Sequence, residues 1–141
     1  MPNVRWLLAL VTAAHRFLYR VSNGRIGARA GGADMLLLET LGRRSGRART
    51  IPLLYVRDGP RFAVVASNAG DDRPPAWWLN LQSRPEASIQ VGSEHHAVRA
   101  RRATPEEGER LWPRLLEAYR AYEEYRQRTR REIPIVVLEP R

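Results

Sequence analysis

In MLLLETLGRRSGRARTIPLLYVRD, residues 35–58, two apolar runs flank a basic turn. The runs, residues 35–41 and 50–58, are bounded by turn residues and have the length of strands. The turn between them carries the arginines Arg43, Arg44, Arg47 and Arg49 and two glycines. Arginine binds phosphate and carboxylate through a two-pronged fork, and glycine lets the backbone come close to a ligand. The stretch predicts two strands joined by an anion-binding loop; a solvated basic hairpin is the alternative.

Further strands and helices are predicted outward from this unit. A third strand, residues 61–67, follows a hairpin turn at Asp58-Gly59, and Pro52 places the second strand at an edge or a bulge. A short helix is expected over 76–83, a second hairpin over 87–103 and a last strand over 133–139. A capping box at 104–107 starts a long helix, which Pro113 should kink or divide. The sum is an α+β domain of about six mostly antiparallel strands with flanking helices, its sheet curled into a small barrel.

Residues 1–22 form a separate unit in this interpretation, and residues 23–141 form a single domain. Asn3 can cap an amphipathic helix that ends near Val21, with an apolar face and an arginine-rich face. The apolar stretch is too short to span a bilayer and lacks the pattern of a signal peptide. Two interpretations stay open: the helix docks on the body of the domain, or it lies on an anionic membrane.

Composition narrows the possible functions. The chain has 141 residues, a net charge of +9, no cysteine and 24 basic residues, all of them arginine. Such a charge attracts phosphates, polycarboxylates, nucleic acid or an anionic membrane. Nucleic acid is disfavoured because the aromatic residues do not interleave with arginines on one strand face. The three histidines lack metal-ligand spacing, so no metal is expected. No nucleotide-binding or hydrolase motif is present, so an enzyme of this sequence needs a cofactor.

Two further patterns are candidates for a site. Small residues end the third strand at Ala66 and Ser67, and the next helix begins with Trp77; together they can accept a flat ligand. Asn80, one turn later, can hold a loop or a ligand carbonyl. Tyr119, Tyr122 and Tyr125 form a stripe at a spacing of three, which indicates either core packing or the wall of an aromatic site.

From about residue 24 onward the chain resembles the deazaflavin-dependent nitroreductase family, and within it the F-420H(2)-dependent quinone reductases. The resemblance rests on an ordered series: Gly-Arg-x-Ser-Gly, Val-Ala-Ser, Trp-x-x-Asn, the spaced tyrosines and Arg-x-Ile-Pro. It implies a split β-barrel like that of FMN-binding oxidoreductases. It also implies coenzyme F-420, an 8-hydroxy-5-deazaflavin with a phosphodiester and an oligoglutamate tail. That tail supplies an anion for the arginine loop.

The resemblance assigns roles residue by residue. The implied cofactor-binding residues are Arg43, Arg44, Arg49, Thr50, Ile51, Pro52, Leu53, Ala66, Ser67, Asn68, Gly70, Ala76, Trp77 and Asn80. Ser67 and Tyr122 are the implied catalytic residues, and Trp77, Tyr119 and Tyr125 the implied substrate-binding residues. Three positions depart from the family. Arg44 and Asn68 replace frequent lysines, and of these only Arg44 keeps the charge; Leu54 replaces a tyrosine found in some nitroreductases. The departure at Leu54 weighs against nitroimidazole reduction more than against cofactor binding.

The resulting hypothesis is a reductase that transfers hydride from reduced coenzyme F-420 to a quinone or a nitro-aromatic acceptor. Alternatives are a non-catalytic carrier or sensor of the same cofactor, and a user of FMN or haem on the same barrel. A cytoplasmic protein is expected, with the N-terminal helix as a candidate contact to the inner face of the membrane. Both a monomer and a homodimer are compatible with the sequence.

Overall fold

The computed structural model describes residues 29–30, 33–67, 72–129 and 132–141. The N-terminal helix expected over residues 1–22 therefore lies outside the described residues. The strands are β1 (Arg29–Ala30), β2 (Ala33–Leu41), β3 (Ala48–Leu54), β4 (Val56–Asp58), β5 (Arg61–Val65), β6 (Glu86–Val91), β7 (Glu94–Arg102) and β8 (Ile135–Pro140). The helices are α1 (Ala76–Ser83), α2 (Pro105–Ala118) and α3 (Ala121–Arg128).

All strand pairs are antiparallel, and the sheet curls into a split barrel. The strand order is β1-β2-β6-β7-β8-β5-β4, with β3 paired to the other edge of β2. Strand β3 lies beside β5 without a hydrogen-bonded ladder between them in the described chain, which leaves the barrel open there. The expected fold class is confirmed, and Pro52 lies in an edge strand as predicted.

The run 50–58 forms two strands rather than the single strand expected. Strand β3 pairs with β2 up to Leu54, and β4 pairs with β5 from Val56 onward. Tyr55 lies at the change of partner, where its N–H donates to the Asp34 carbonyl over 3.1 Å and its side chain packs on the core. A strand that turns a barrel corner must leave one ladder before it joins the next, so this break is a consequence of barrel curvature.

Two apolar cores lie on opposite faces of the sheet. Alternate residues of β5 divide between them: Phe62 and Val64 enter the barrel, whereas Ala63 and Val65 face the helices. The barrel core consists of Leu36, Leu38, Phe62, Val64, Ala66, Trp77, Leu81, Ala87, Ile89, Val98, Ala100, Val136 and Leu138. The helix-side core consists of Ala63, Val65, Leu111, Leu115, Tyr122, Ile135 and Val137.

Helix α2 begins as the sequence predicts. The Thr104 hydroxyl accepts from the Glu107 N–H, and the Glu107 carboxylate accepts from the Thr104 N–H over 2.9 Å, which completes the capping box. Arg101 donates to both oxygens of Glu107 over 2.6 and 2.9 Å. These hydrogen bonds, the one from Arg101 first, lower the pKa of Glu107 to about 2.

Pro113 does not divide the long helix. Helix α2 continues through it to Ala118, and the break falls at Tyr119 and Arg120. Pro113 and Glu109, four residues earlier, are both exposed. The carbonyl that loses its helical partner at Pro113 can therefore bond to water.

Candidate functional site

The strand registers bring the predicted site segments to one end of the barrel. Six strand ends are adjacent there, because each neighbouring pair of strands is antiparallel. In spatial order they are the end of β2 with the start of β3, then the start of β6, the end of β7, the start of β8 and the end of β5. The arginine loop joins the first two of these. The Asp58-Gly59 hairpin and the turn at Gly92 lie at the opposite end.

The arginine loop, residues 42–47, is a tight turn closed by its own backbone. The Gly42 N–H donates to the Arg47 carbonyl and the Gly46 N–H to the Gly42 carbonyl, each over 2.8 Å. Gly46 has φ +69°, and a Cβ on Gly42 would lie 2.7 Å from Ser45 Oγ. The positive φ therefore requires a glycine at position 46, whereas a side chain at position 42 would displace the Ser45 hydroxyl.

The three arginines of this loop and Arg49, just after it on β3, are exposed. Within the described part of the chain, no carboxylate forms an ion pair with Arg43, Arg44, Arg47 or Arg49. Other arginines of the molecule do pair with carboxylates; these are Arg61, Arg99, Arg101, Arg102, Arg110 and Arg126. Four neighbouring guanidinium groups without carboxylate partners in the described chain, three on the loop and that of Arg49 just after it on β3, suit an anionic ligand with several charges.

Asn80 fixes the loop to helix α1. Its Oδ1 accepts from the Arg43 N–H over 3.1 Å and from Arg43 Nη1 over 3.2 Å. Its Nδ2 donates to Thr40 Oγ1 over 3.1 Å, and Asn80 and Thr40 are only 4% and 2% exposed. Of the two roles that the sequence left open for Asn80, the structure supplies the first: it holds a loop. Thr40 was not among the residues expected from the sequence, although its inward position follows from the alternation of β2.

The open edge of β3 runs from the arginine loop along the split in the barrel. Four consecutive residues of this strand, Thr50 to Leu53, are partly buried. Two of them, Ile51 and Leu53, pack on the barrel core. Because β3 is hydrogen-bonded to β2 alone among the described strands, alternate backbone groups on its other edge face the split. The edge can therefore offer main-chain hydrogen bonds to a flat ligand.

The small-residue strand end and helix α1 lie at the same end of the barrel. Ala66 is buried, its N–H donates to the Pro134 carbonyl over 3.1 Å, and Ser67 is 9% exposed. Ala76 is exposed, whereas Trp77 is 6% exposed and packs in the barrel core. Trp77 thus supports the site from beneath, and Trp78 remains partly exposed. The other two residues predicted here, Asn68 and Gly70, lie outside the described residues.

The three tyrosines lie on the helix side of the sheet. Tyr122 is 7% exposed in the helix-side core, with its ring 6.4 Å from that of Trp112, whereas Tyr119 is 40% exposed. The hydroxyls of Tyr119 and Tyr125 are 2.9 Å apart. Burial, together with these two neighbours, raises the pKa of Tyr122 above its ordinary value, so its phenol stays protonated. Core packing, one of the two roles foreseen for the stripe, therefore holds for its centre, and the role of its flanks in an aromatic site stays a prediction.

Helix α3, which carries the last two tyrosines, is tied to the segment before α1. Thr129, just after the helix, donates through Oγ1 to Asp72 Oδ1 over 2.8 Å. Asp72 lies between Ser67 and Ala76 in the chain. The tyrosines and the small-residue strand end are thus connected through this segment, although they lie on different elements.

Two depressions accompany these segments. One, of about 420 Å³, lies on the outer face of β2, β3, β6 and β7 and includes Glu39, Thr50 and His95. The other, of about 740 Å³, lies between α2 and the start of β8 and includes Trp112, Arg126 and Pro134. Thr50 was predicted as a site residue and Pro134 belongs to the Arg-x-Ile-Pro motif, whereas the other residues named here were not expected at a site, because their proximity arises only from the fold.

Fold and site together define a class. A split antiparallel barrel with a small-residue strand end, an open strand edge and a basic loop at one mouth can hold a flat cofactor with an anionic tail, as a flavin- or deazaflavin-dependent oxidoreductase does.

Comparison with known proteins identifies the family. Residues 12–140 match the model of the F-420H(2)-dependent quinone reductase family, and the chain belongs to that family. An F-420H(2)-dependent quinone reductase of Mycobacterium tuberculosis is 42% identical over 128 residues, which cover 88% of this chain and 86% of that protein.

Two solved structures are similar over most of the fold. An F-420-H2 dependent reductase (FDR-A) is 37% identical with a TM-score of 0.68, covering 74% of this chain and 93% of the other. A domain-swapped dimer is 31% identical with a TM-score of 0.72, covering 96% and 98%. The family resemblance and the fold expected from the sequence are confirmed, and the family is named for the cofactor that was expected.

Proposed function

We propose that this protein transfers hydride from reduced coenzyme F-420 to a quinone. The observation that carries the proposal is the arginine loop, whose guanidinium groups are exposed and lack carboxylate partners in the described chain. Of these groups, that of Arg43 is held by the neutral amide of Asn80. The phosphodiester and oligoglutamate tail of coenzyme F-420 is a multiply charged anion of the kind that such a loop binds. The residues present therefore fit the cofactor for which the family is named.

The proposed cofactor side of the site runs from the loop along the split in the barrel. Arg43, Arg44 and Arg49 bind the phosphate and the tail. The edge of β3 at residues 50–53 contacts the ring system through backbone groups, and Ala66 and Ser67 lie against its face. The same contact is expected from the sequence for Asn68 and Gly70, which lie outside the described residues. Ala76, Trp77 and Asn80 complete the opposite wall, Trp77 from within the core and Asn80 by holding the loop.

The proposed acceptor side faces the tyrosines. Leu54, one residue beyond the cofactor-binding edge of β3, packs on the helix-side core that contains Tyr122, as does Tyr125. The bound deazaflavin supplies a hydride from C5, and the protein must place an acceptor beside it and exclude water. Tyr119 and Tyr125 orient the acceptor, and Trp77 supports it from the barrel core.

Ser67 and Tyr122 are the proposed catalytic residues. Each carries a hydroxyl that can hydrogen-bond to the acceptor oxygen as negative charge develops on it. The raised pKa of Tyr122 keeps that hydroxyl protonated at neutral pH. This suits a hydrogen-bond donor.

Turnover tests the proposal. The protein is mixed with reduced coenzyme F-420 and a panel of soluble benzoquinones and naphthoquinones, and the return of oxidised deazaflavin absorbance is followed. We expect catalytic oxidation that depends on both quinone and protein. Tight binding without turnover of any quinone would instead identify a carrier or sensor, and a preference for FMN would identify an FMN-dependent reductase.

Nitro-aromatic compounds are proposed as secondary acceptors. Leu54 presents an apolar wall where some nitroreductases of the family have a phenol, and the structure places this position beside the tyrosine-containing core. We expect quinones to be reduced faster than nitroimidazoles, and Leu54→Tyr to narrow the difference. An equal or reversed preference in the unaltered protein contradicts this assignment of the acceptor side.

Membrane contact is a separate proposal that concerns residues 1–22. No helix in the described part of the chain is long and apolar enough to cross a membrane. The basic amphipathic pattern of residues 1–22 suits peripheral contact with the inner, anionic face of a cell membrane, where lipid quinones are found.

We further propose a cytoplasmic homodimer, favoured by the similar chain described as a domain-swapped dimer. Light scattering in solution tests the oligomeric state.

A further inference from the structure

Thr40 occupies the mouth of the barrel, directly beneath the arginine loop. Strand β2 turns Leu36, Leu38 and Thr40 to the same inward face, and Thr40 is only 2% exposed. An inward position at the end of a barrel strand is ordinarily filled by an apolar side chain. A hydroxyl there requires a hydrogen-bond partner, and Asn80 Nδ2 provides it over 3.1 Å.

The hydrogen bonds around Asn80 can form in one orientation of its amide. Both groups of Arg43 that contact Asn80 are donors, so the amide oxygen must face the loop. The amide nitrogen must then point into the barrel mouth, where it is cut off from water. Thr40 accepts its hydrogen bond, and without that acceptor a buried N–H group would be left unsatisfied, which is costly.

This arrangement positions a guanidinium group without neutralising it. Arg101, by contrast, is held by the carboxylate of Glu107 in an ion pair of 2.6 Å, which cancels much of its charge. The amide oxygen of Asn80 orients Arg43 but adds no negative charge. Arg43 therefore keeps both a fixed position and its full attraction for an anionic ligand.

We propose that Thr40 is a positioning residue that holds Arg43 in place through Asn80, and thereby makes the site selective for a deazaflavin with an anionic tail. The inference rests on the proposed function, since the tail is that of coenzyme F-420. Thr40 itself is buried and acts on the ligand through the other two residues. The deazaflavin ring is bound elsewhere, along β3 and the strand end, and does not depend on Thr40.

The test compares two ligands and two substitutions. The ligands are coenzyme F-420 and 8-hydroxy-5-deazariboflavin, which has the same ring system but neither phosphate nor glutamates. Thr40→Val keeps the shape of the side chain and removes the acceptor, whereas Thr40→Ser keeps the acceptor. We expect Thr40→Val to raise the Kd of coenzyme F-420 about tenfold and that of the tailless ligand less than about twofold, since one hydrogen bond to a buried group is lost. Thr40→Ser should bind both ligands as the unaltered protein does.

Asn80→Asp provides a second measurement if Thr40→Val does not fold. It keeps an oxygen toward Arg43 but adds the negative charge that the native arrangement avoids. It should therefore weaken binding of coenzyme F-420 at least as much as Thr40→Val does, with little effect on the tailless ligand. Addition of salt should reduce the difference between variant and native protein.

The outcomes separate the inference from the proposed function. If the native protein fails to bind coenzyme F-420, the proposed function is wrong. If the native protein binds it and Thr40→Val weakens both ligands equally, or neither of them, Thr40 has a merely structural role and the inference is overturned. Selective loss of the tailed ligand with rescue by serine supports it.

Discussion

Removal of one guanidinium from the arginine loop should weaken cofactor binding by a calculable amount. In Arg43→Ala the loop keeps its two backbone hydrogen bonds of 2.8 Å, both made by glycine N–H groups, so the turn itself should persist. What is lost is one charge-assisted contact to the cofactor tail, which contributes about 1.5–3 kcal/mol. That corresponds to a Kd of coenzyme F-420 raised about tenfold to a hundredfold.

Isothermal titration at two salt concentrations measures this effect, and Arg110→Ala is the matched control. Arg110 is also exposed and also loses one positive charge on substitution, but it pairs with Asp58 over 2.7 Å at the opposite end of the barrel. The control should bind coenzyme F-420 nearly as the native protein does. Salt should weaken binding by the native protein more than by Arg43→Ala, because the variant has one electrostatic contact fewer.

Two results would refute this reasoning. If Arg43→Ala and Arg49→Ala both bind normally at physiological salt, the loop is a solvated hairpin. If Arg110→Ala weakens binding as much as Arg43→Ala, the protein attracts the cofactor through its net charge of +9 and has no localised tail site.

Three further predictions concern the acceptor side, acid stability and the N-terminal residues. If the Tyr122 hydroxyl assists the reaction, Tyr122→Phe should lower kcat for quinone reduction by about a hundredfold and leave cofactor affinity unchanged. Unchanged kinetics in both Tyr122→Phe and Tyr122→Ala would show that the residue serves only in core packing. Because the pKa of Glu107 is lowered to about 2, its stabilising contribution is complete above about pH 4.5 and is lost as the pH falls toward 2. Glu107→Gln should therefore be less stable at neutral pH and show a shallower acid decline in thermal unfolding, and parallel declines would contradict the role of its ion pair. Deletion of residues 1–22 should reduce binding to anionic vesicles and leave turnover of a soluble quinone nearly intact; failure of the truncated protein to fold would show that the segment belongs to the core.

The elements of the fold could be predicted wherever interactions between residues close in sequence determine them. The capping box at Thr104 satisfies backbone groups within four residues, and helix α1 spans the residues 76–83 that the sequence predicts. The break at Tyr55 could not be predicted, because it results from the exchange of strand partners around the barrel. The passage of helix α2 through Pro113 likewise depends on exposure at that turn, which the sequence does not reveal.

The candidate site shows the same limit. The arginines were identified from their spacing and from glycines that permit the turn, and both are local properties. The link from Thr40 through Asn80 to Arg43 joins residues 37 and 40 positions apart, so it exists only after folding. Sequence reasoning therefore identified the candidate ligand-binding groups more readily than the groups that hold them in place.

The most direct test of the central claim is a titration of the protein with coenzyme F-420, with FMN in a parallel experiment under the same conditions. The arginine loop fits a multiply charged tail, and FMN carries a single phosphate in its place. We expect coenzyme F-420 to bind at least about tenfold more tightly than FMN, which corresponds to one or more additional charge-assisted contacts. Tight binding of FMN with no response to coenzyme F-420 would contradict the claim.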